Sequence, residues 1–182
     1  MFALSAADLH GRTLDCGGGP ASFNAEGSAL GIRIVSVDPL YAHSAADIER
    51  RIEETFDAVM SQARAQADRF VWTYFADADA LGRARRAAMR LFLADYEAGR
   101  QVGRYIAGEL PSLPFADRSF DLALSSHLLF LYSEHLSLSQ HLPAFASCCG
   151  WRARCESSRS IPSPATARPI WRRCATHCVS MD

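Results

Sequence analysis

Leu14-Asp15-Cys16-Gly17-Gly18-Gly19-Pro20 is the stretch on which the fold turns. Three consecutive glycines open backbone angles closed to other residues, so the chain can reverse sharply here. Before them, Arg12 to Cys16 reads as a short strand. After them, from Pro20 or Ala21 toward Ala29, a short helix is expected, with proline suited to its first turn. Gly31 breaks that helix. Ile32-Arg33-Ile34-Val35-Ser36-Val37 then reads as a buried-type strand, closed by Asp38-Pro39. Strand, glycine turn, helix and strand make one unit, which implies two parallel strands joined by a right-handed crossover.

Further along, Ser44-Ala45-Ala46-Asp47 has the capping-box form with Asp in the place of Glu. Ile48, Ile52, Phe56, Val59, Met60 and Ala63 follow at helical spacing. A second helix is expected from Asp79, carrying Leu81, Ala84, Ala88, Leu91, Phe92 and Tyr96 on one face and stopping near Gly99 to Gly103. Core packing accounts for both stripes. Phe70 to Phe75 joins the two helices, with Trp72 and Tyr74 packing between them or lining a pocket. Arg104 to Ala107 is a third strand, ended by Gly108. A loop stiffened by Pro111 and Pro114 leads to a fourth, Phe120 to Ser125. His127 to Tyr132 is expected to open the next helix or turn. The class is α/β, a parallel sheet with flanking helices.

Length and composition bound the rest. The chain has 182 residues, 49% apolar and 21% charged, which suits one packed domain. A net charge of -1 gives no argument for nucleic acid or an anionic membrane. No basic start followed by an apolar run marks the N-terminus as a signal peptide. The longest strongly apolar stretch, Leu122 to Ser133, is 12 residues and too short to span a bilayer. A cytoplasmic location is expected.

Asp15 and Asp38 stand 23 residues apart, about one strand–helix–strand unit. A glycine turn after the first strand lets backbone approach a ligand closely, and an acidic residue ending the second can accept from ribose hydroxyls. Together they suit an adenosine ligand lying across the strand ends. A dinucleotide fingerprint would need Gly or Ala at position 22, where this chain has Ser22.

Leu14 to Pro20, Val35-Ser36-Val37-Asp38 and Leu113 to Leu122, in that order, resemble the class I S-adenosylmethionine-dependent methyltransferases. The resemblance covers residues 12 to about 142 and implies a Rossmann-like sheet with S-adenosylmethionine as cofactor. It places Asp15 and the Gly17, Gly18 and Gly19 backbone around the methionine part. Asp38 would take the ribose hydroxyls, with Pro39 and Leu40 near the adenine. Glu109 and Leu110 would flank the adenine ring, and Ser125 with Ser126 would face the cofactor amino group or the substrate. Asp38 also suits a turn residue, Glu109 a solvated loop acid, and the two serines plain strand ends. His127 is the one titratable group near the end of strand four, either a base or a packed histidine; the catalytic residue is not assigned. The 63 residues from Tyr41 to Gly103 exceed the single helix usual there and imply an inserted two-helix lid. The expected activity is methyl transfer to a small-molecule acceptor. A catalytically impaired cofactor-binding protein and a nucleotide-dependent oxidoreductase are the alternatives.

Residues 143–182 have a different character. They hold six Arg, two acids, no leucine and five of the six cysteines, whereas residues 1–142 hold 13 Arg and 18 acids, net -5. That acidic balance disfavours nucleic acid as a partner. The cysteines lack any C-x₂-C pair, so no metal site is expected. A fifth strand and an antiparallel pair, usual in the family, are not legible. The expectation is a tail that follows an out-of-frame reading near 143–150, or a divergent one, leaving the sheet incomplete at its C-terminal side.

Overall fold

A computed structural model describes residues 4, 7–69, 72, 74–110, 112–116 and 119–125. Ser126, His127, the segment expected to follow strand four and the whole 143–182 tail lie outside the described residues, as does most of 70–73.

Four strands form one sheet: β1 (Arg12–Cys16), β2 (Arg33–Val37), β3 (Tyr105–Ile106) and β4 (Leu122–Ser125). All pairings are parallel and the order is β3-β2-β1-β4. This is the Rossmann-like α/β arrangement, with β1 central. The chain winds outward from β1 to β3, then returns to place β4 on the other side of β1. The point of reversal, between β1 and β4, is where such sheets form a crevice at their carboxyl ends.

Register decides which side chains share a face, because successive residues of a strand point to opposite sides. Asp15 pairs with Ser36, and Ser36 with Tyr105. Cys16 pairs with both Val37 and Ser125. One face therefore carries Thr13, Asp15, Ile34, Ser36 and Tyr105. The other carries Leu14, Cys16, Val35, Val37, Ile106, Ala123 and Ser125.

Helices cover the first face. α1 (Phe23–Ala29) turns Asn24 and Gly27 inward. A Cβ on Gly27 would run into the end of the Ile34 side chain, so this glycine permits the helix to lie close on β2. α2 (Ala45–Ala65) is capped by Ser44, whose Oγ accepts from the Asp47 N–H at 3.2 Å. α3 (Ala78–Gln101) is capped by Asp77, which accepts from the Ala80 N–H at 2.6 Å. α3 packs against both α1 and β3. Its Phe92 and Tyr96 join Tyr41, Ile48, Ile52 and Tyr105 in one buried cluster. So α3 belongs to the layer over the sheet, as an ordinary crossover helix would. α2 is the added element, lying on α3 with Met60 facing Gly82.

Three inward assignments do not hold. Tyr74 is 77% exposed, Leu91 48% and Val59 41%. The buried line of α3 is Ala78, Gly82, Phe92, Tyr96 and Gly99. Leu91 sits one residue, about 100° of helix, away from Phe92 and turns out of that line.

A loop closes the second face. Leu110, Leu113 and Phe115 pack against the buried cluster of Leu14, Cys16, Val37, Phe120 and Ala123. Asp121 ties the start of β4 to the start of β1: its carboxylate accepts from the Arg12 N–H at 2.8 Å and its own N–H donates to the Arg12 carbonyl at 2.9 Å.

Candidate functional site

The glycine turn leaves β1 at its carboxyl end. Gly17 still donates to the Val37 carbonyl, at 2.8 Å, so the strand pairing continues into the turn. Gly17 and Gly19 have φ of 71° and 56°, the region that favours glycine. Gly18 is required for a different reason. A Cβ there would stand 2.5 Å from Asp15 Oδ2 and 2.7 Å from the Tyr41 hydroxyl. Around Gly19, by contrast, an added Cβ would meet nothing within 4 Å. The turn is crowded on the Asp15 side and open at Gly19.

Asp38 fastens this turn to β2. Its Oδ2 accepts from the Gly19 N–H at 3.0 Å and its Oδ1 from the Leu40 N–H at 2.8 Å. It thereby caps a short 3-10 turn, Pro39–Ala42. A carboxylate offers about four acceptor positions, so roughly two remain for a ligand. Both expected roles of Asp38, turn residue and acceptor at the strand end, fit one side chain. Tyr41 completes the fastening by donating to the Gly19 carbonyl at 2.9 Å. Burial raises the Tyr41 phenol above its ordinary pKa, which keeps it a donor.

Asp15 lies beneath the turn and is 6% exposed. The Ser36 hydroxyl donates to its Oδ2 at 2.8 Å, and Asn24 Nδ2 in turn donates to Ser36 Oγ at 3.1 Å. Burial pushes the Asp15 carboxyl up to about 6; the Ser36 hydrogen bond offsets only part of this, and the nearby Asp38 charge adds to it. Among the described residues, no cation acts on it. The network continues away from the site. Asn24 Nδ2 donates to the Arg104 carbonyl at 2.9 Å, and Arg104 donates to Asn24 Oδ1 at 2.7 Å. Arg104 also reaches both oxygens of Asp95, at 2.7 and 2.6 Å, which holds that carboxyl below its usual range.

The remaining expected site residues are placed less centrally. Pro39 is exposed beside Asp38. Ser125 is 2% exposed at the end of β4, and its hydroxyl is one of two buried side-chain polar atoms without a partner among the described residues. It lies on the opposite face from Asp15, because its pairing partner is Cys16. Leu110 packs into the core of the loop-covered face, and Glu109 is exposed with a bridge to Ser112. Tyr41, Ser36, Asn24 and Arg104 are working parts that the sequence reading passed over. Ser36, a polar residue inside an otherwise apolar strand, was the one available signal.

Comparison with known proteins adds one relative. An uncharacterized protein of Methanocaldococcus jannaschii is 31% identical over 142 residues, 78% of this chain and 63% of the relative. The chain thus spans less than two thirds of that relative's length. No family model matches, and no solved structure matches. Among the described residues, no helix is long and apolar enough to cross a membrane.

Proposed function

We propose that this chain is an S-adenosylmethionine-dependent methyltransferase with a small-molecule acceptor, working in the cytoplasm. The observation that carries the reading is the pair of carboxylates on either side of the glycine turn. Asp15 and Asp38 repel each other, and no basic side chain among the described residues relieves the buried one. A ligand that brings positive charge to the turn removes that repulsion. A dinucleotide brings a pyrophosphate and would worsen it. The third fingerprint position agrees: the close helix–sheet contact is made by Gly27, well inside α1, whereas the Ser22 hydroxyl donates to Glu26 at 2.6 Å.

Among the described residues the site fits such a group in three respects: acid without a countercharge, open space at Gly19, and a Ser125 hydroxyl without a partner. Asp38 would hold the ribose hydroxyls with its free lone pairs, and the glycine backbone would lie along the methionine part. The cofactor supplies an electrophilic methyl group on a positively charged sulfur. This chain's part is to hold and align. Orientation alone can supply most of the acceleration of such a displacement, so no strong general base is required.

Isothermal titration of the full chain with S-adenosylmethionine, S-adenosylhomocysteine and NAD tests the reading. The first two should bind and NAD should not. S-adenosylmethionine should bind more tightly as pH rises through about 6, where Asp15 ionises. Binding of NAD alone, or of none of the three, overturns the proposal.

A further inference from the structure

Between α2 and α3 lies a groove of about 240 Å³ that shares only Leu40 with the residues placed around the cofactor. Ile52, Phe56 and Val59 of α2 and Met89 of α3 supply its walls, and Pro20 and Leu40 close it on the side of the glycine turn. A cavity of roughly 150 Å³ lined by such residues accepts a benzene molecule, so this one has room for a substituted aromatic ring. Val59, 41% exposed, stands at this groove with its side chain in water.

The charges there all have one sign. Arg51 and Arg85 are its charged lining residues, with no carboxylate beside them in the lining. Two neighbouring arginines show the contrast. Arg86 is neutralised by Glu53, at 2.7 and 2.8 Å to the two oxygens, and its guanidinium lies 4.0 Å over the Phe56 ring. Arg85, next to it in sequence, lines the groove and has no ion pair among the described residues. Arg51 has only a distant partner on its own helix, Glu54 at 3.6 Å, with both side chains more than half exposed. An apolar trough with one guanidinium, that of Arg85, unpaired among the described residues matches an apolar body carrying an anion, since guanidinium pairs with carboxylate in a two-pronged geometry.

We propose that this groove binds a small amphipathic anion, an aromatic or short aliphatic carboxylate. Three isosteric probes on the full chain test it: 3-phenylpropanoate, 3-phenylpropan-1-ol and 3-phenylpropan-1-amine, followed by saturation-transfer NMR and titration. The acid should bind about tenfold more tightly than the alcohol, and the amine most weakly, on the scale of one charge-assisted contact. Arg85→Gln should bring acid and alcohol together, and Arg83→Gln, outside the lining, should leave the difference intact. Val59→Trp, which fills the trough from an exposed position, should abolish binding of the acid while the circular dichroism spectrum stays unchanged. The proposal fails if acid and alcohol bind alike in the unmodified chain, if the acid does not bind, or if Arg85→Gln leaves its preference intact. Because none of these readouts involves S-adenosylmethionine, failure here does not touch the proposed transfer.

Discussion

The two faces of the sheet are held by different physics. The helix-covered face, the one a helical layer would be expected to make oily, contains a chain of polar side chains from Asp15 through Ser36 and Asn24 to Arg104 and Asp95. The loop-covered face has an apolar core, Leu14, Cys16, Val37, Phe120 and Ala123, each no more than 3% exposed, with Ser125 the buried polar residue at its edge. Hydrophobic contact is non-directional and tolerates sliding. Hydrogen-bonded partners do not, since each misplaced group is left buried and unsatisfied. The difference teaches that adhesion comes from one side and alignment from the other. The side that aligns is the one that leads to the glycine turn.

The apolar face should dominate stability. Leu14→Ala removes a fully buried side chain at its centre and should cost about 3–5 kcal/mol in urea unfolding. A cost under about 1 kcal/mol would break the contrast.

Asp15 makes the polar face pH-sensitive. Its carboxyl ionises near 3.8 when unfolded and near 6 when folded. Between these values the folded state holds the extra proton, so stability falls as pH rises, and the loss is complete above about 6. Roughly two units correspond to about 3 kcal/mol. Asp15→Asn, which does not ionise, should therefore gain on the unmodified chain by up to that amount from pH 4 to pH 7.5. Parallel unfolding curves at the two pH values would show that Asp15 is better solvated than its burial implies.

Arg104→Met strands Asp95 and Asn24 and should cost about 2–3 kcal/mol, reduced from a fully buried pair because both charges are about a quarter exposed. Combined with Asp95→Asn, the total should be smaller than the sum of the two single changes. Strict additivity would mean that the network is a set of separate bonds.

Asp38→Ala should weaken S-adenosylmethionine by about 1–3 kcal/mol and S-adenosylhomocysteine in parallel, since both carry the ribose; Asp38→Asn should lose less. Unchanged affinity, with the circular dichroism spectrum intact, would leave Asp38 only its ties to Gly19 and Leu40. The smallest effect on folding belongs to Ser125→Ala. Its hydroxyl has no partner to lose among the described residues, so stability should stay level or rise by up to about 1 kcal/mol while cofactor affinity falls. A clear loss of stability would show that the hydroxyl is satisfied after all.

The elements were legible where local signals were strong. Ile34 to Val37 is a run bounded by Gly31 and Pro39 and apolar but for Ser36, and Gly17 to Gly19 could hardly be anything but a turn. The Phe120-Asp121 pair was legible as a pattern, but its work lies at the opposite end of β1 from the site. Asn24 and Arg104 were not legible, because they meet across 80 residues of chain and neither has a distinctive neighbour. Leu91 and Val59 were misread because helical spacing identifies a stripe only to within about one residue of its edge.

Tyr41, Phe92, Tyr96 and Tyr105 form a cluster of four rings with centroids 5.0–6.0 Å apart. Each hydroxyl does separate work: Tyr41 holds Gly19, Tyr96 holds the carbonyls of Tyr41 and His43, and Tyr105 reaches Asp95. Exchanging any one tyrosine for phenylalanine keeps the ring and removes a single tether. Random drift at these positions therefore has a gentle path open to it. A descendant chain can shed these ties one oxygen atom at a time, and loosen its glycine turn long before it loses its shape.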